Sequence, residues 1–417
     1  MSRFQIVGGK PLYGSLEIQG AKNSVLPILA AALLAEGESV IRNCPRLSDV
    51  EDTLEILRVL GCGAEWDGNA VRVNASRLSG DTVPGELMGR MRSSVIFLGA
   101  LLARRGRACL ALPGGCALGP RPIDLHLRCL SQLGAEVLEV DGAVCCEASA
   151  LTGRELCLPI PSVGATENAM LCACGCEGTT TIVGAAREPE IVDLQNFLRA
   201  MGADVSGAGE SVLTVRGGKP LRGAEYTVMG DRIAGCTYLC AAAAAGGCVE
   251  VSGIEPGSMT AVLDALRYAG CSVSEDVRSV KLESDGSLHG VPPVRTAPYP
   301  GFPTDAQAIL MAALAGGRGC TMFVENIFES RYGHVDELRR MGADIQTSGR
   351  VAVVTGVGLL RGARVESCDL RGGAALVVSG LAARGKTEVG GLRHIRRGYE
   401  DLAGNLRRLG GRIREVD

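Results

Sequence analysis

The chain has 417 residues, 46% of them apolar and 21% charged, with a formal net charge of −3; this describes a globular protein too long for one simple core and read here as two domains. Aromatic residues make up only 3% and Trp66 is the sole tryptophan, which together with the negative charge argues against a nucleic-acid partner. The 17 cysteines follow no disulfide-like spacing, which indicates a reducing cytosol, and no targeting or membrane segment is read.

In chain order, Gly9-Lys10-Pro11-Leu12-Tyr13-Gly14 comes first, and it recurs as Gly218-Lys219-Pro220-Leu221-Arg222-Gly223. The apolar run at residues 25–35 holds Pro27 and is too short to span a bilayer. A helix-ending glycine then recurs in Leu60-Gly61-Cys62, Leu133-Gly134-Ala135, Met201-Gly202-Ala203, Ala269-Gly270-Cys271, Met341-Gly342-Ala343 and Leu409-Gly410-Gly411. Successive glycines lie 73, 68, 68, 72 and 68 residues apart, so the chain reads as six copies of one unit. Glycine at this place fits a left-handed helix C-cap. Within each unit an Ala-rich helix, a Gly turn and a strand follow one another, as at residues 239–251 and 378–389. The recurrence of 9–14 at 218–223 makes the chain a duplicated half of three units. Boundaries are expected near residues 21 and 230, giving one lobe of 1–21 plus 230–417 and another of 22–229.

Residues 113–122 read PGGCALGPRP. Glycines and prolines on both sides of Cys116 exclude a regular helix or strand and predict an exposed loop, with Arg121 near the thiol. Cys172, Cys174 and Cys176 lie in a small-residue helix, where i, i+2 spacing turns side chains apart, so they are read as packing. Cys145 and Cys146 read as strand core. His126, His289, His334 and His394 show no metal-ligand spacing, and His126 is expected to brace the 113–122 loop.

Each Ala-rich helix opens on polar or glycine residues: Lys22-Asn23, Arg90 and Arg92, Ser162-Val163-Gly164, Asp231-Arg232, Asp305, and Arg371. Singly these read as caps or first-turn charges, and Asp305 behind Pro303-Thr304 as a helix N-cap. Recurring at one phase, they predict helix N-termini that gather at a cleft attracting anions.

These residues carry a family resemblance. The 113–122 loop with Asp124-Leu125-His126, Gly20-Ala21-Lys22-Asn23, Ser162-Val163-Gly164-Ala165-Thr166, and Arg187-Glu188-Pro189-Glu190-Ile191-Val192-Asp193 all belong to it. So do Pro303-Thr304-Asp305 with Gln307, Phe328-Glu329-Ser330-Arg331, and Arg397-Gly398-Tyr399-Glu400. Over essentially its whole length the chain resembles the UDP-N-acetylglucosamine enolpyruvyl transferases of the EPSP synthase family. The resemblance implies an α/β fold, the inside-out α/β barrel, with two lobes of three βαβαββ repeats each. It also implies enolpyruvyl transfer from phosphoenolpyruvate to the sugar 3-hydroxyl with release of phosphate, the first committed step of peptidoglycan synthesis.

By the same resemblance, Cys116 is the proton donor and site of a covalent adduct, and Asp305 sits beside the sugar hydroxyl. Lys22 and Arg397 join them as catalytic residues. Lys22, Asn23, Arg121, Arg331, Arg371 and Arg397 are assigned to phosphoenolpyruvate. Arg92, Arg121, Pro122, Ile123, Asp124, Leu125, Ser162, Val163, Gly164, Asp305 and Ile327 are assigned to UDP-N-acetylglucosamine. No metal and no organic cofactor is implied, and the expected setting is cytoplasmic, with neither a nucleic-acid nor a membrane partner. Ile160 and Ser48 stand where some members carry lysine, which leaves fewer cations for the diphosphate. The sister enzyme, enolpyruvyl-shikimate-phosphate synthase, lacks the Pro-Gly-Gly-Cys loop. A silent UDP-sugar-binding paralogue is disfavoured by the joint presence of Cys116, Lys22, Asp305 and Arg397.

Overall fold

Strands such as Val212–Arg216 alternate buried and exposed residues, the pattern of a sheet with one face on a core. The computed structural model describes residues 2–111, 123–140 and 142–416, the side chains of Arg92 and Val140 excepted. Cys116, Arg121 and Pro122 therefore lie outside the described residues. Among the described residues the strands form six four-stranded sheets and one two-stranded sheet.

All six four-stranded sheets share one plan: a parallel pair, then two antiparallel strands. One runs Glu155–Cys157, Thr179–Val183, Val212–Arg216 and Asp204–Ser206. Another runs Val294–Arg295, Cys320–Val324, Val351–Thr355 and Asp344–Ser348. A parallel neighbour needs a crossover, which here is a helix. Three of the four-stranded sheets draw on distant segments, and in one of them Arg3–Val7 lies antiparallel between Lys386–Gly390 and Arg412–Val416. Leu12–Glu17 lies parallel to Gly247–Ser252, and Glu225–Thr227 lies parallel to Glu38–Arg42.

The six recurring glycines all lie at positive φ, from 90° at Gly342 to 112° at Gly134. Each closes its helix in the same way. After the Ser48–Val59 helix, the Gly61 N–H bonds the Arg58 carbonyl and the Cys62 N–H bonds the Leu57 carbonyl, both at 2.9 Å. That double bond is a Schellman closure, and a residue with a Cβ is strained at its left-handed position.

The described residues divide into two compact units, one made of the chain up to Gln19 and from Gly230 on, the other of Gly20 to Met229. In the first, the helices Arg232–Ala245, Thr304–Ala315 and Leu370–Ala382 pack together, apolar on nearly every face, as an enclosed helix must be. In the second, Phe97–Arg105 packs against Val163–Cys174. Gly99 makes this approach feasible, because a Cβ there would stand 2.3 Å from the Asn168 carbonyl oxygen.

One cysteine assignment is corrected. Cys109 and Cys145, directly opposite in antiparallel strands with Cα atoms 4.1 Å apart, form a disulfide. Cys145 is thus not an ordinary core thiol; the pairing depends on strand register, which residue spacing does not reveal. Cys172, Cys174 and Cys176 are buried in the apolar core of their unit.

Candidate functional site

In the unit containing Gly230, the Thr304–Ala315 helix carries Asp305 in its first turn. The N-cap position belongs to Pro303, so Asp305 does not cap the helix as read from sequence. Its carboxylate turns instead to two buried arginines. Arg331 Nη2 reaches Oδ1 at 2.9 Å, while Arg371 Nη2 and Nε reach Oδ2 at 3.1 and 3.2 Å. Arg331 and Arg371 are only 3% and 2% exposed, against 27% for Asp305. The carboxylate is the open edge of an otherwise buried charge cluster.

Arg371 enters from the first turn of the Leu370–Ala382 helix, which Asp369 caps by accepting from the Arg371 and Gly372 N–H groups, both at 3.0 Å. Burial works against the charge on this guanidinium, but Asp305, Tyr399 and Asp231 more than offset it and hold its pKa above the ordinary arginine value. The remaining Nη1 donates to the Tyr399 hydroxyl at 3.2 Å. Thr237 spends its hydroxyl proton on the Ile233 carbonyl at 2.9 Å, so Tyr399 donates to Thr237 Oγ1 across 2.7 Å. The chain Thr237–Tyr399–Arg371–Asp305 fixes where the carboxylate points.

Tyr399→Phe removes one acceptor from a fully buried guanidinium and is expected to destabilise the fold by about 1–3 kcal/mol. Denaturant unfolding measures this. Thr237→Val added to Tyr399→Phe is expected to cost less than the sum of the two singles, because both touch one bond. An unchanged unfolding midpoint for Tyr399→Phe would contradict the chain of bonds.

Ile327 stands 39% exposed on the loop after Cys320–Val324, and Arg397 is half-buried beyond the short Leu392–Ile395 helix. Among the assigned residues of this unit, the structure brings Asp305, Arg331 and Arg371 into direct contact.

In the other unit, the Lys22–Ala31 helix begins with two assigned residues. Lys22 Nζ lies 3.0 Å from Asp49 Oδ2, whose side chain is 1% exposed, while Asn23 is exposed. The same helix start is tied down by Asp193, a buried carboxylate that accepts from Ser24, from Tyr226 and from the Met229 N–H. Ser162 caps the Val163–Cys174 helix, its Oγ accepting from the Ala165 N–H at 3.4 Å. Gly164 follows, and a Cβ there would meet His126 Cε1 at 2.8 Å, so glycine lets the two helices meet. Ile123 occupies the N-cap of the Asp124–Gln132 helix, which carries Asp124, Leu125 and His126.

His126 is buried, with Nδ1 2.7 Å from Asn168 Nδ2. Burial pushes its pKa down to about 4 despite nearby Asp124, so the ring is neutral at pH 7. Asn168 Nδ2 also donates to the Val95 carbonyl at 2.9 Å. The 92–96 turn and the openings at 123–126 and 162–164 are thereby linked. Asp49 and Thr237 were not legible in the sequence: Asp49 resembles an ordinary first-turn acid, and Thr237 carries no local motif.

The profile of the family EPSP synthase (3-phosphoshikimate 1-carboxyvinyltransferase) matches residues 6–406. A UDP-N-acetylglucosamine 1-carboxyvinyltransferase 2 of Caldanaerobacter subterraneus subsp. tengcongensis is 46% identical over 413 residues, covering 99% of each chain. A UDP-N-acetylglucosamine 1-carboxyvinyltransferase 1 of Symbiobacterium thermophilum is 48% identical, covering 99% of this chain and 95% of its own. Among solved structures, the enolpyruvyl transferase NikO from Streptomyces tendae superposes with a TM-score of 0.89 at 28% identity, covering 100% of this chain and 99% of its own. An EPSP synthase of Acinetobacter baumannii, at 20% identity and a TM-score of 0.76 with both chains fully covered, shares the fold.

The fold is thus that of the enolpyruvyl transferases, α/β with mixed sheets. The chain belongs to the EPSP synthase family, among its UDP-N-acetylglucosamine 1-carboxyvinyltransferases.

Proposed function

We propose that the chain is a transferase that moves the enolpyruvyl group of phosphoenolpyruvate to the 3-hydroxyl of UDP-N-acetylglucosamine and releases phosphate, opening peptidoglycan synthesis. One observation carries this reading: likeness at 46–48% identity, over nearly the whole chain, to proteins named for that activity.

In the addition step the Cys116 thiol gives its proton to the methylene carbon of phosphoenolpyruvate. The sugar oxygen bonds to the neighbouring carbon, and the hydroxyl proton passes to Asp305. Elimination then takes a proton back from the new methyl group, re-forms the double bond and expels phosphate with the electron pair of its C–O bond. A thiol of ordinary pKa, about 8.5, is mostly protonated at neutral pH and suits the first role. Lys22, Asn23, Arg121, Arg331, Arg371 and Arg397 hold the carboxylate and phosphate while charge moves to the leaving group. The sugar nucleotide falls to Arg92, Arg121–Leu125, Ser162–Gly164, Asp305 and Ile327.

The fuller architecture belongs to the same reading: an inside-out α/β barrel whose lobes, 1–21 with 230–417 and 22–229, each hold three βαβαββ repeats. The common plan of six sheets and the six glycine-closed helices support it. Among the described residues no helix is long and apolar enough to cross a membrane. The expected compartment is the cytoplasm. The reaction calls for no metal or organic cofactor, and no nucleic-acid or membrane partner.

Phosphate release from phosphoenolpyruvate tests the proposal. It is expected to depend on UDP-N-acetylglucosamine and to be absent with shikimate 3-phosphate. Release with shikimate 3-phosphate alone would transfer the chain to the sister activity.

A further inference from the structure

Glu325 follows the Cys320–Val324 strand and is fully buried, at 0% exposure. Its Oε1 accepts from Thr296 Oγ1 at 3.0 Å, from the Ile327 N–H at 2.8 Å and from the Phe328 N–H at 3.0 Å. Its Oε2 accepts from Thr304 Oγ1 at 3.0 Å, in the first turn of the helix that carries Asp305. Thr296 strengthens the first arm, since the Asn326 N–H donates to its Oγ1 at 2.8 Å and Asn326 Nδ2 to its carbonyl at 3.0 Å.

A buried carboxylate must have its lone pairs met by donors. Here the donors lie on two separate elements, so one group fixes the distance between them.

We propose that Glu325 is a positioning residue for the transfer reaction. Through Oε2 it sets the helix start that aims Asp305, and through Oε1 it holds the 326–328 backbone that presents Ile327. The inference rests on the proposed function for the roles of Asp305 and Ile327, but not for the anchoring itself. Asp305 is also gripped by Arg331, whose Nη2 bonds the Thr304 carbonyl at 3.2 Å. A shift of Thr304 therefore moves the carboxylate and one of its arginines together.

Three variants separate the arms. In Glu325→Gln the amide oxygen must face the two backbone N–H groups, which can only donate, and the NH2 then faces Thr304. The loop arm survives and the helix arm is altered. Thr304→Val removes the helix arm alone, and Glu325→Ala removes both. Glu325→Gln and Thr304→Val are each expected to lower kcat about 10-fold with KM for the sugar nucleotide changed less than about twofold. Their double variant is expected to match Thr304→Val rather than multiply the two effects, because both substitutions act on the one contact between residues 325 and 304. Glu325→Ala is expected to raise KM about 10-fold as well. Should Glu325→Ala fail to fold, Thr296→Val tests the loop arm, with KM raised and kcat kept near wild type.

Amide hydrogen exchange of the 326–328 segment, read without substrate, is expected to speed up in Glu325→Ala or Thr296→Val and not in Thr304→Val. A purely structural role would lower the melting temperature and leave kcat and KM unchanged. That result, multiplying effects in the double variant, or unchanged exchange would each overturn the proposal. If the wild-type protein releases phosphate only with another acceptor, the proposed function fails, and the kcat and KM split is read with that acceptor.

Discussion

Asp305→Asn is expected to leave the protein folded and to lower turnover about a thousandfold, within the range for loss of a positioned proton acceptor. Asparagine keeps the size of the side chain and its carbonyl can still meet one arginine. It cannot take the proton of the attacking sugar hydroxyl. It also strips Arg331 and Arg371, each no more than 3% exposed, of the anion that both contact. Two effects therefore act at once, and they differ in how they appear. Loss of the proton acceptor falls on kcat. Loss of the counter-charge falls on stability, because a buried guanidinium without its partner is costly. Stopped assays of phosphate release at saturating sugar nucleotide give the first, and denaturant unfolding gives the second. A kcat within tenfold of wild type would remove Asp305 from the chemistry, whatever the change in stability.

What could be read from the sequence was what local backbone geometry enforces. A helix that closes through a left-handed residue requires glycine there, so Gly61, Gly134, Gly202, Gly270, Gly342 and Gly410 announce six helix ends. The openings were legible for a similar reason. Lys22, Val163, Arg232 and Thr304 each begin a helix: Ser162 and Asp231 cap two of them, and small apolar residues contiguous in the chain follow all four. Partnerships between side chains were not legible. Asp305 and Arg371 are separated by 66 residues, and Tyr399 and Thr237 by 162. No local rule chooses such partners; packing of three helices does. Glu325 escaped notice because a lone acid after a strand looks like any surface charge until its burial is known. The Cys109–Cys145 pair escaped because it depends on strand register.

Cys116 is the position at which a single atom is expected to decide both activity and inhibition. A small phosphonate epoxide such as fosfomycin carries a dianion like that of phosphoenolpyruvate, and Lys22, Arg121 and Arg397 are the cations assigned to hold it. The thiolate sulfur attacks a ring carbon, the C–O bond of the epoxide breaks, and the alkoxide takes a proton to leave a stable thioether. Competing thiols are poorly placed. Burial pushes Cys62, Cys129, Cys146 and Cys271 up to about 11, and Cys109 and Cys145 are bound to each other. Cys368 is exposed, yet burial of its sulfur and nearby Asp369 push it to about 11 as well. Cys157 and Cys320 remain as exposed rivals, and their labelling sets the background. Peptide mass spectrometry is expected to find one adduct, on Cys116, formed faster when UDP-N-acetylglucosamine is present. Cys116→Asp keeps a proton donor but lacks a soft nucleophile, so it is expected to turn over and resist the epoxide. Cys116→Ser holds its proton too tightly to donate well and is expected to lose at least about a hundredfold in rate. Adducts spread evenly over Cys116, Cys157 and Cys320, or a Cys116→Ser protein as active as wild type, would show that the chemistry belongs to another group.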